Sequence, residues 1–219
     1  MIQLYFAPGA CSFVPHVALE VIKAATGEDF EPKLIKLHKG EHKTPEYLAM
    51  NPEAQVPVIV VDGRPLNQIV AICDYLDRRY PQAGLLPAEP WARAKAMSLL
   101  AWMNNTVHPT FTRFFKPEQF ADGEAAQAEV RRFAAVKYRG LLERIQAHLE
   151  QANPYWFGER LSFHDAYAVT FLRWGGYAGI DHESLPAYKA YVERVAAAGP
   201  VTAANERERV PLFTYKKAA

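Results

Sequence analysis

The chain has 219 residues, and its 25 Lys plus Arg nearly balance 24 Asp plus Glu, so no strong field exists to draw nucleic acid or an anionic membrane to it. Half of the residues are hydrophobic, ample for one large core or two modest ones, and no apolar run approaches the length of a bilayer span. Cysteine occurs only at Cys11 and Cys73, and no secretory leader precedes the strand-like run at Ile2, so two free thiols in a reducing cytoplasm are expected.

Ile2 to Phe6 alternates apolar and polar and stops at Ala7-Pro8-Gly9, which predicts a strand and a turn. Val14, Val17, Ala18, Val21 and Ile22 recur at helical spacing until Gly27, predicting a helix with one apolar face. Lys33 to Leu37 reads as a short strand. After the polar stretch from His38 to Thr44, Pro45 opens a short helix that ends near Asn51-Pro52. Val56-Pro-Val-Ile-Val-Val61 reads as a fully buried strand. Asp62-Gly63 then turns the chain into a short strand near Pro65 and Leu66, and a helix from about Ile69 to Tyr80 closes the unit. The order is βαβ, a short helix, then ββα.

The segment from Pro81 to Pro90, with three prolines and a glycine, reads as a linker. Beyond it no alternating pattern remains, and long helices are expected over Ala92 to Phe115, Glu124 to Gln151, Phe163 to Tyr177 and Pro186 to Ala198. Pro109 has no N–H for the carbonyl of Asn105, so the first of these should kink. Ser162-Phe-His-Asp165 has capping-box spacing and marks a helix start.

Cys11 follows a Pro-Gly turn at the mouth of a helix, where unpaired backbone N–H groups favour thiolate over thiol. It is expected to be reactive. Cys73, on the apolar face of a helix, reads as structural. With Val at position 14 there is no Cys-x-x-Cys pair, which argues against a dithiol oxidoreductase. The seven histidines are scattered, and no metal site is expected.

Three stretches, Ala7-Pro-Gly-Ala-Cys-Ser-Phe-Val-Pro-His16, Gly40-Glu-His-Lys-Thr-Pro-Glu-Tyr-Leu-Ala-Met-Asn-Pro52 and Gln55-Val-Pro57, stand in this order and spacing. Together they resemble the N-terminal domain of cytosolic glutathione transferases, the first being similar to the bacterial beta class and the second to plant-type members. The resemblance implies an α/β plus all-α fold: a thioredoxin-like glutathione-binding domain over residues 1–81, a linker over 82–90 and an all-helical substrate-binding domain over 91–219. It implies a cis Val56-Pro57 bond that turns the Val56 backbone toward the cysteinyl part of glutathione. By the same likeness His42 and Lys43 hold the glycine carboxylate, Gln55 adds an amide contact, and His108 lies near the bound thiol. Ser12 and Tyr5 stand in reserve for a hydrogen bond to the glutathione sulfur. Where the family carries an acidic residue followed by Ser at the γ-glutamyl end, this chain has Gln68 and Ile69. The hydroxyl is absent, leaving backbone N–H groups and a capping Asn67 to hold the anion.

The implied activity is conjugation of glutathione, as cosubstrate, to a small hydrophobic electrophile by a cytoplasmic homodimer, with Cys11 at the thiol site. Walls for that electrophile are sought among Trp102, Phe111, Phe114, Phe115 and Trp156. Two alternatives are a glutathione-dependent disulfide reductase with Cys11 as nucleophile, and a non-catalytic binding or regulatory protein, for which Gln68-Ile69 is the argument.

Overall fold

The computed structural model describes residues 1–216; the last three residues of the expected helical domain lie outside the described residues. Strand β1 (Ile2–Phe6) buries Ile2, Leu4 and Phe6 on one face, as period-two alternation requires. Helix α1 (Phe13–Thr26) follows and ends at Gly27, whose φ of 77° supplies the left-handed cap. Strand β2 is Phe30–Leu34 rather than Lys33 to Leu37. Parallel pairing with β1, which sets Ile2 opposite Phe30 and Phe6 opposite Leu34, fixes that register. As an edge strand, β2 tolerates Pro32.

Helix α2 (Pro45–Met50) leads to β3 (Val58–Val61) and β4 (Arg64–Asn67), antiparallel partners in a sheet of order β2-β1-β3-β4. β3 is buried along its whole length because both of its faces are covered. Ile59 and Val61 enter the main core, while Val58 and Val60 pack with Ala7, Ile35 and Tyr47 on the other side. Helix α3 (Ile69–Arg79) completes the thioredoxin-like unit.

The connection to the helical unit is held by charge. Asp77 accepts the Leu86 N–H at 3.0 Å, and Arg93 pairs with both Asp77 and Asp74. The stretch expected as one helix from Ala92 to Phe115 is two, α4 (Pro90–Trp102) and α5 (His108–Phe115), joined by a π-helical turn over Met103–Val107. Pro109 is the cause, since the Asn105 carbonyl loses its helical partner and one extra residue is absorbed in the turn before it.

Helices α6 (Glu124–Leu149), α7 (Phe163–Tyr177) and α8 (Pro186–Ala196) follow. The capping box at α7 is formed, the Ser162 N–H donating to Asp165 Oδ2 at 2.6 Å. α7 is buried almost throughout and is the axis of the helical unit. The sequence reading overlooked α9 (Gly199–Glu208), which packs against α1. The main core is continuous from Leu4 and Phe13 through Leu100 and Tyr138 to Val201, so the two units share one hydrophobic interior.

Candidate functional site

The turn after β1 carries Cys11 into a cleft between the two units. Gly9, with φ of +72°, reverses the chain in a conformation that L side chains rarely adopt. Ser12 locks the turn from inside: its Oγ accepts the Ala7 N–H at 3.1 Å and donates to the Ala7 carbonyl at 3.2 Å. Fully buried in that role, Ser12 is not among the residues lining the cleft. Tyr5 likewise packs edge-on against Tyr47, on the other face of the sheet.

The helical unit grips the same turn through both backbone polar groups of Gly9. The Gly9 N–H donates to Glu208 Oε2 at 2.9 Å, and the Gly9 carbonyl accepts the Trp174 Nε1–H at 2.8 Å. Glu208 Oε1 also meets His16 Nδ1 at 2.9 Å, both side chains being fully buried. Beside them Arg207 donates to Glu20 at 2.6 Å. Trp174 then packs against His108 with ring centroids 4.9 Å apart and the rings tilted by 57°, so one indole locates both the turn and the histidine.

The Cys11 thiol donates to the Val56 carbonyl, 3.5 Å from its sulfur, and the Val56–Pro57 bond is cis. The expectation of a resting thiolate is overturned. Burial pushes the Cys11 thiol up to about 12, with the Glu208 carboxylate adding in the same direction. The N–H groups of Cys11 and Ser12 pull it back, as a helix mouth should, but desolvation is the larger effect. Cys73 is fully buried and its thiol is likewise raised by desolvation. Burial pushes His108 down to about 4, which leaves it a neutral imidazole near pH 7.

The cleft encloses about 60 Å³ and brings together Cys11, Gln55, Val56, Pro57, Gln68, Ile69 and His108. His42 and Lys43 lie outside this lining, on a short 3₁₀ turn. Burial lowers the pKa of His42, and Lys43 and Lys116 lower it further. Asn67 does not cap α3; its side-chain amide donates to Asn51 Oδ1 at 2.8 Å, and Gln68 holds the cap position with φ of 66°. Asn51 and Asn104 also line the cleft and went unnoticed in the sequence. Asn51 looked only like a helix end, and Asn104 is brought to the cleft by the π turn, whose expected trace was a kink. The Asn104 Oδ1 accepts the Tyr167 hydroxyl at 3.1 Å.

The aromatic residues sought as pocket walls are mostly occupied elsewhere. Phe111 is stacked on Trp174 at 4.5 Å inside the core, Trp102 lies under Arg144, and Trp156 packs with His148, His164 and Tyr191. Among the described residues no group of three His, Cys, Asp or Glu side chains is placed to hold a metal, and no helix is long and apolar enough to cross a membrane.

Residues 2–78 match the family model for the glutathione S-transferase N-terminal domain, and residues 93–198 the model for the C-terminal domain. Glutathione S-transferase GST-4.5 of Xanthomonas campestris pv. campestris is 33% identical over 217 residues, covering 94% of this chain and 98% of that protein. The solved glutathione S-transferase of Xylella fastidiosa is similar with a TM-score of 0.85 and 32% identity, over 96% of this chain and 100% of that one. A sphingomonad glutathione S-transferase solved in complex with glutathione is similar at a TM-score of 0.79 and 30% identity, over 95% of this chain and 100% of that one.

Proposed function

Because the chain belongs to the glutathione S-transferase family, we propose that it is an enzyme binding glutathione in the Cys11 cleft and adding its thiolate to a small hydrophobic electrophile held against the helical unit. On this reading residues 1–81 form the glutathione-binding domain, 82–90 the linker and 91–219 the substrate-binding domain of a cytoplasmic homodimer.

The observation that carries it is the Cys11 thiol, protonated and aimed as a donor into a cleft between the units. A thiol raised to about 12 does not surrender its proton to a neighbouring sulfur anion. It donates to it, exchanging the Val56 carbonyl for the glutathione thiolate, and stabilises the ionised form at neutral pH. The proton that glutathione releases passes to solvent, and His108, uncharged at neutral pH, lines the same cleft as a neutral imidazole able to hydrogen-bond the ligand. The Val56 and Pro57 backbone, Gln55 and the start of α3 at Ile69 supply polar contacts along the tripeptide. His42 and Lys43 serve the glycine carboxylate on this reading. Fixing thiolate and electrophile side by side supplies the remaining catalysis.

Calorimetry with glutathione and conjugation of 1-chloro-2,4-dinitrobenzene by Cys11→Ala test the reading together. Binding should survive and kcat should fall by about tenfold to a hundredfold, the worth of one hydrogen bond to an anion. Absence of binding at millimolar glutathione would overturn it in favour of a non-catalytic role. Loss of all conjugation in Cys11→Ala, together with a glutathione adduct on Cys11 in mass spectra after exposure to oxidised glutathione, would instead make Cys11 the nucleophile of a reductase.

A further inference from the structure

Among the described residues the helical unit sends two side chains into the lining of the Cys11 cleft, Asn104 and His108. Within the π-helical turn Met103 and Val107 are buried in the core while Asn105 and Thr106 are exposed, which leaves Asn104 at the cleft. A tyrosine behind it decides which end of its amide is on offer. Tyr167, fully buried and stacked on Phe171 with ring centroids 4.8 Å apart, donates its hydroxyl to Asn104 Oδ1 at 3.1 Å. With the carbonyl end taken, Asn104 has its NH₂ left. One hydrogen goes to Asn105 Oδ1 at 3.1 Å, and the other has no partner among the described residues. His108 lines the same cleft with its ring packed against Trp174, and no side chain among the described residues hydrogen-bonds that ring.

No charged side chain lines the cleft among the described residues, so N–H groups are its means of holding an oxygen anion on the helical side. An electrophile that expels a halide asks little of them, because the departing anion leaves on the side away from the sulfur and is taken up by water. Attack on the β-carbon of an α,β-unsaturated carbonyl compound is different. It moves the negative charge onto the carbonyl oxygen, three bonds from the carbon attacked, and a donor fixed there beforehand is worth far more than water. Resting on the glutathione reading above, we propose that Asn104, oriented by Tyr167, selects electrophiles of this class by donating its free amide N–H to the carbonyl oxygen as charge develops on it. The glutathione sulfur forms a bond to the β-carbon, and the π pair of the C=C bond shifts to give the enolate. Asn104 and the His108 N–H hydrogen-bond the enolate oxygen, and the α-carbon then takes a proton from water. The product is a saturated thioether, formed with no leaving group and no oxidant or reductant.

Two electrophiles with the same phenyl body provide the test: 4-phenyl-3-buten-2-one, which carries the conjugated carbonyl, and benzyl chloride, which has no oxygen. In Asn104→Ala the ratio of kcat/KM for the enone to kcat/KM for the chloride should fall about tenfold to a hundredfold, the scale of one hydrogen bond to a charged group. Tyr167→Phe, which keeps the ring and releases the Asn104 carbonyl, should lower the same ratio about threefold to tenfold. General damage to the fold lowers both rates together and leaves the ratio where it was. A second readout needs no turnover. With S-methylglutathione in place of glutathione, the bound enone should absorb at longer wavelength in the unmodified protein than in Asn104→Ala, since a donor to its carbonyl lowers the energy of the conjugated transition. A ratio in Asn104→Ala within about threefold of the unmodified protein's, or an absorption unmoved by that substitution, would overturn the inference while leaving glutathione as the ligand. So would an unmodified protein that conjugates the chloride and not the enone. Failure of glutathione itself to bind at millimolar concentration would overturn both readings.

Discussion

Cys11 sits where two opposing influences on a sulfur meet. The Pro8-Gly9 turn gives it the N–H groups of a helix mouth, and these are readable from a dozen residues of sequence. The desolvation that outweighs them is a matter of tertiary burial, in a turn that Trp174 of α7 and Glu208 of α9 bond at Gly9, and no local pattern announces it. Position was therefore legible and ionisation was not. One consequence can be measured: alkylation of Cys11 by iodoacetamide at pH 7.5 should be at least about a hundredfold slower in the native protein than in urea, and should keep climbing up to pH 10. A plateau reached by pH 9, followed on the Cys11 peptide by mass spectrometry, would contradict a thiol raised to about 12. Ser12 illustrates the same limit on sequence reading. A hydroxyl next to the reactive position invites a chemical role, yet its two bonds to Ala7 give it a structural one.

At the scale of elements, local signals that dictate hydrogen bonds proved readable, and those that depend on a distant partner did not. Gly27 at the end of α1, Pro45 at the start of α2 and the Ser162 box each act on a helix end within a few positions of themselves. β2 slid from its expected place because its register is set by β1. α9 lies beyond the last expected helix; it opens on Gly199 and Pro200, and Pro in the first turn is compatible with starting a helix. The box at α7 gives a prediction of its own. Asp165 accepts from the Ser162 N–H and Oγ, from the Trp156 N–H at 2.9 Å and from the Tyr191 hydroxyl, all in a buried setting. Asp165→Ala strands these donors and should cost about 2–4 kcal/mol, read as a lower urea midpoint at unchanged slope. Ser162→Ala, which leaves the Ser162 and Trp156 N–H groups paired with Asp165, should cost no more than about half as much.

For the whole molecule the acid side of the stability curve carries the mark of two histidines. Burial pushes both His108 and His164 down to about 4. Each is protonated more readily in the unfolded chain, whose ordinary value is near 6.5, so stability present above pH 6.5 drains away as pH falls toward 4. Each should contribute about 3 kcal/mol to that loss. Urea titrations at pH 7, 5.5 and 4.5 should show it, and His108→Asn should flatten the His108 share; a midpoint independent of pH across this window would refute the assignment. The two-unit organisation itself was visible in the change from mixed to purely helical patterning and in the proline-rich segment from Pro81 to Pro90. Unforeseen was how much of the first unit's chemistry is held by the second. Trp174 and Glu208 fasten the backbone on either side of a single residue, Gly9. Gene shuffling at the linker would therefore not yield a free exchange of halves. A chimera whose new helical half lacked either partner would inherit an intact sheet but a loosened sulfur, so these two positions must travel with the turn they hold.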